Sequence, residues 1–110
     1  AGQQEQATRS RQEMIEKSDS ALRVSGPMLI AGATALLASG RGFLSSASRA
    51  DGVVFDLSAV EETDSSALSV IFGWLRTAQA LGVGMRIANP PASMISQAAL
   101  YGVSDSLPLA

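Results

Sequence analysis

Three carboxylates, a threonine and two serines fill one short stretch of this chain, Glu61-Glu62-Thr63-Asp64-Ser65-Ser66. Hydroxyls beside carboxylates allow three kinds of chemistry: nucleophilic attack, cation binding and modification. A nucleophilic serine needs a base, and the chain has no histidine and no cysteine. Its only lysine is Lys17, far off in the polar N-terminal part, so hydrolase chemistry finds no partner for Ser65. Glu61, Glu62 and Asp64 offer oxygen donors, but a hard cation needs several more, and acidic side chains are favoured near a helix start without any metal. Two readings remain for Asp64-Ser65-Ser66. In one, Asp or Ser caps the following helix. In the other, Ser65 or Ser66 is a regulatory, phosphorylatable hydroxyl at a helix N-terminus. There the free amides and the dipole favour a phosphate, which adds nearly two negative charges beside three carboxylates.

The elements that must position these groups follow from periodicity. Val53 to Leu57 is an apolar, buried strand, and a polar loop carries the chain to Asp64. Ser65 to Leu81 is the clearest helix, with Leu68, Ile71, Phe72, Leu75 and Ala78 at three- and four-residue spacing and Gly82 as its stop. Upstream, Gln12 to Glu16 reads as a short edge strand and Lys17 to Ser20 as a turn. Ala21 to Ser25 reads as a second strand ended by Gly26-Pro27. Ile30 to Leu37 reads as a helix weakened by Gly40 and Gly42, with Arg41 near its negative pole. Downstream, Val83 to Ala88 is a strand. Asn89 is a cap with Pro90 at the first helical position, Met94 to Tyr101 is the last clear helix, and Leu107 to Leu109 is a short strand or tail.

The order β-β-α-β-α-β-α predicts an α/β domain. Its mixed sheet has about four to five strands, with helices mainly on one side. Residues 12–110 form that domain. Residues 1–11 are polar and Gln-rich and read as a flexible segment or a tag remnant.

Composition limits the function further. The chain has 110 residues, a net charge of −2 and only 8 Lys+Arg. That excludes the basic stripe of a nucleic-acid binder and a polybasic membrane patch. The longest apolar tract, Pro27 to Ala38, falls short of the roughly 20 residues that span a bilayer, so no direct membrane insertion is expected. Gly82-Val83-Gly84 leads into a strand and lacks a third glycine, so it is no dinucleotide fingerprint, and no cofactor is expected. On the long helix, Trp74 is either the edge of the core or, with Ala67 and Val70, an apolar partner-binding patch beside Ser65.

An apolar strand ending Asp56-Leu57-Ser58, a short connection, then Asp64-Ser65-Ser66-Ala67-Leu68 opening a helix resembles the STAS domain family over roughly residues 12–109. The family includes anti-sigma factor antagonists, in which a kinase phosphorylates the hydroxyl residue after the motif Asp, here Ser65. Those proteins usually carry Gly-Glu-Leu-Asp where this chain has Gly26-Pro27-Met28-Leu29, and Gly where it has Ala67. The ending Ala99-Leu100-Tyr101-Gly102-Val103, then Leu107-Pro108, is more similar to the MlaB branch, STAS subunits of the Mla phospholipid-transport ABC system that maintains outer-membrane lipid asymmetry. That resemblance implies a non-enzymatic, cytoplasmic subunit held at the inner membrane through the transporter's ATPase. The alternative it leaves open is an antagonist bound by an anti-sigma factor kinase.

Overall fold

The computed structural model describes residues 15–18 and 21–110. Four strands, β1 (Ile15–Ser18), β2 (Ala21–Met28), β3 (Val53–Thr63) and β4 (Met85–Ala88), form one sheet in the order β1-β2-β3-β4. β1 runs antiparallel to β2, and β2, β3 and β4 are parallel. Among the described residues three α-helices complete the α/β fold: α1 (Ala33–Ser46), α2 (Ser65–Leu81) and α3 (Ala92–Leu100). Leu109 adds an isolated parallel bridge to Ile87 at the β4 edge.

Alternation along the strands separates two faces. The row Leu22–Phe55–Ile87 is buried, whereas the neighbouring row Glu16–Arg23–Asp56–Ala88 lies on the side that faces away from the core. The helices cover the buried face. Trp74 of α2 stacks on Phe55 of β3 with ring centroids 4.2 Å apart and planes 13° from parallel. Its indole Nε1 donates to the Leu37 carbonyl of α1 at 3.1 Å, so one side chain ties three elements together.

Several element limits differ from the sequence expectation. β1 includes Lys17 and Ser18, which had turn character, because they pair with Leu22 and Ala21. Residues 1–14, with the expected strand start at Gln12, and residues 19–20 lie outside the described part. β2 does not end at Gly26-Pro27. Gly26 takes φ +83° beside a register shift, and the strand continues to Met28. β3 runs on to Thr63 in place of the expected polar loop. A second register shift breaks the burial alternation between Leu57 and Val60, which removes the strand signature from the sequence there.

The first helix also differs. Ile30–Gly32 form a 3₁₀ turn, and α1 passes through Gly40 and Gly42 to Ser46. Arg41 is therefore mid-helix, where its Nε donates to Thr77 Oγ1 at 3.1 Å. Asn89 does not cap the last helix. The cap position is Pro91, while Asn89 takes φ +54° and its Nδ2 donates to Asp56 Oδ1 at 3.1 Å. The long helix keeps its expected limits, and Gly82 ends it in a left-handed conformation.

Candidate functional site

The C-terminal end of β3 meets the N-terminus of α2 at Asp64. Asp64 is the N-cap of α2, and its Oδ1 accepts from the Ser66 amide at 2.8 Å. Its second oxygen, Oδ2, accepts from the Ile30 amide at 3.0 Å. The capping reading of the sequence is therefore realised, with an addition that local sequence does not contain. The same carboxylate also fastens the 3₁₀ turn ahead of α1, 34 residues away in sequence.

Around this anchor, the Asp64 amide donates to the Met28 carbonyl at 3.3 Å. The Thr63 and Ser93 hydroxyls share a hydrogen bond of 2.6 Å, and Gln97 Nε2 donates to the Thr63 carbonyl at 3.4 Å. The corner is thus held by β2, β3, α2 and α3 together.

On this frame Ser65, the first residue of α2, is exposed, and Ser66 is half-buried. Ile30 stands at the same corner with 76% of its surface exposed, an apolar side chain held out by a turn whose amide Asp64 fixes. Glu61 and Glu62 are exposed at the end of β3. Among the described residues no group of three His, Cys, Asp or Glu is placed to hold a metal ion. Lys17 lies at the register of Leu22 and Phe55, the far end of β3 from Ser65.

The apolar partner patch expected on α2 is corrected. Ala67 and Trp74 are fully buried and Val70 is 3% exposed, because this stripe of the helix faces the sheet and α1. A side chain stacked under Phe55 and bonded to Leu37 has no surface left for a partner. Of the residues expected to meet a partner, only Ser65 is on the surface. Ile30 supplies the exposed apolar side chain instead. It sits within the tract Pro27 to Ala38, where nothing in the sequence distinguishes it from core residues.

Among the described residues, the carboxyls of Asp56 and Asp64 have depressed pKa values. Asp64 is lowered chiefly by the Ile30 amide, with the Ser66 amide adding to it against the cost of desolvation. Asp56 is lowered first by the Ser58 amide and then by Asn89, with a contribution from the charge of Arg23. A carboxyl depressed in the native state stabilises the fold above its unfolded pKa of about 4, and that contribution is lost as pH falls through the native value. Stability therefore declines on acidification below about pH 4, and Asp56→Asn combined with Asp64→Asn flattens that decline. Urea melts across the acid range check this, and an acid limb of unchanged steepness in the double variant contradicts it.

A protein-family model described as "Mlab, STAS domain" matches residues 12–109. The chain belongs to the STAS domain family. Its fold agrees with solved structures. A Thermotoga maritima protein described as a "putative anti-sigma factor antagonist" superposes with a TM-score of 0.70 at 18% identity, covering 90% of this chain and 87% of that one. The anti-sigma factor antagonist SpoIIAA in its unphosphorylated form superposes with a TM-score of 0.56 at 15% identity, covering 76% and 77%. At these identities the likeness is one of fold. No curated protein matches the chain. In this STAS domain the motif Asp is a structural clamp, and the following Ser65 is the exposed member of the motif.

Proposed function

We propose that this STAS domain is a non-enzymatic docking subunit that binds the ATPase of an ABC phospholipid transporter through the corner formed by Ile30 and Ser65. The observation that carries the reading is the pairing of a 76%-exposed isoleucine with an exposed hydroxyl on one rigid frame. An apolar side chain that a cap and a 3₁₀ turn hold in water has little role within the domain, and it is suited to fill a pocket on a partner. The family model's Mlab description supports the transporter branch. So does Gly26-Pro27-Met28-Leu29, which brings a proline and no acid to the end of β2.

The test is co-purification of the tagged chain from its source cell, with mass-spectrometric identification of what is retained. An ABC ATPase is expected, and Ile30→Asp weakens its binding by about 2 kcal/mol or more while the melting temperature is kept. Recovery of a sigma-regulating kinase in its place sinks the transporter reading.

The second reading is an anti-sigma factor antagonist switched by phosphorylation of Ser65. The likeness in fold to the anti-sigma factor antagonist SpoIIAA and the exposure of Ser65 at the first position of α2 support it. A phosphate there gains the helix dipole but meets the Asp64 carboxylate, whose two oxygens already hold amides. Incubation with a cognate kinase and ATP then adds one phosphate at Ser65, and Ser65→Asp reproduces the effect on binding. Partner affinity unchanged in Ser65→Asp removes the switch.

A further inference from the structure

Helices α1, α2 and α3 carry two charged side chains among them, Arg41 on α1 and Arg76 on α2, and no carboxylate. The fold brings these two to the same turn. Arg41 Nε donates to Thr77 Oγ1 at 3.1 Å, and that hydroxyl donates onward to the Gly73 carbonyl at 3.1 Å. Arg76 folds back along α2, its Nη2 lying 3.8 Å from the position a Cβ on Gly73 would take. Both arginines are exposed. Thr77 uses the Nε of Arg41, and among the described residues no side chain or carbonyl accepts from the two terminal nitrogens of Arg41. Like charges brought close together repel, and among the described residues no acidic side chain forms a hydrogen bond with either of them. An anion bridging them removes that repulsion, and the planar fork of arginine suits a carboxylate in particular.

We infer that the Arg41–Arg76 seam between α1 and α2 is a binding surface for a carboxylate-bearing segment of a partner protein. It is separate from the Ile30–Ser65 corner, since Gly73 lies about 12 Å along α2 from Ser65, and it stands whichever partner docks there. A lipid surface fits less well. Anionic membranes are held by clusters of about 4–8 basic residues. Of the exposed large hydrophobic residues only Ile30 lies near α1, and none lies on α1 or α2. A nucleic acid fits less well again, given the net charge of −2.

The experiment titrates hexaglutamate into the full chain and follows the arginine Nε–Hε resonances. Saturable shifts are expected at Arg41 and Arg76, with Arg23, Arg49 and Arg86 unmoved, and they vanish by about 0.5 M salt. Arg41→Gln with Arg76→Gln weakens binding by about tenfold or more at an unchanged melting temperature, because charge-assisted bonds are lost. Arg41→Lys with Arg76→Lys keeps the charge, loses the fork and falls between. Three results overturn the inference: shifts spread evenly over all seven arginines, full affinity in the glutamine pair, or tighter binding to phosphatidylcholine–phosphatidylserine vesicles than to the peptide.

Discussion

Trp74→Ala lowers the stability of the domain by about 3–5 kcal/mol, the range for removing a buried large aromatic side chain. Trp74 has no exposed surface, stacks on Phe55 at 4.2 Å and satisfies its one donor at the Leu37 carbonyl. Its removal leaves a cavity between β3, α1 and α2 and uncouples the two helices. That loss is a large share of the roughly 5–15 kcal/mol that holds a small domain together. Because Trp74 is the only tryptophan, the melt must be followed by circular dichroism, not by fluorescence. Trp74→Phe keeps an aromatic ring on Phe55 but loses the bond to Leu37, and so costs less. If Trp74→Ala left the melting temperature intact and weakened partner binding, the side chain would belong to a surface and its packing on Phe55 would be wrong.

The second large effect is at Gly40, where helix propensity and packing point in opposite directions. In an exposed helix interior, Gly→Ala gains about 1 kcal/mol. Gly42 meets that condition, being exposed with open space where a Cβ would stand, and Gly42→Ala should stabilise by about that amount. Gly40 lies two residues earlier in the same helix, but a Cβ there would overlap Trp74 Nε1 and Cε2. The indole cannot retreat, since Phe55 lies against its ring and Leu37 holds its nitrogen. Gly40→Val therefore destabilises by about 3 kcal/mol, at the upper end of ordinary overpacking costs. Thermal melts of the two variants should move in opposite directions, and stabilisation by Gly40→Val would contradict the close approach of α1 to α2.

These two residues also show where sequence patterns mislead. Gly40 has the character of a helix terminator because glycine weakens an isolated helix. The helix continues because its absent side chain lets Trp74 in, and that benefit depends on a residue 34 positions away. Trp74 suits an interface or a core equally well by type, and only the placement of Phe55 beneath it decides. The strand beyond Leu57 is hidden for a related reason. Its register shifts break the two-residue period, the only local sign of a half-buried strand. Where the signal was purely local it served well. The 3.6-residue stripe of α2, its Asp cap and its Gly stop place that helix at Ser65–Leu81.

By itself, the sequence determined the α/β order of elements, the family likeness, the absence of histidine and cysteine chemistry, and Asp64-Ser65-Ser66 as the place to look. Each of these follows from residue type and short-range spacing. Only the tertiary structure decided what the site presents. It turned Asp64 into a clamp on the Ile30 amide, buried Ala67, Val70 and Trp74, left Ile30 in solvent beside Ser65, and brought Arg41 of α1 onto the turn of α2 that carries Arg76. The physical reason is that exposure and pairing belong to contacts between residues far apart in sequence, as Ile30 is from Asp64 and Phe55 from Trp74. They are set by which faces the sheet and helices bury against each other, and no window of neighbouring residues contains that information.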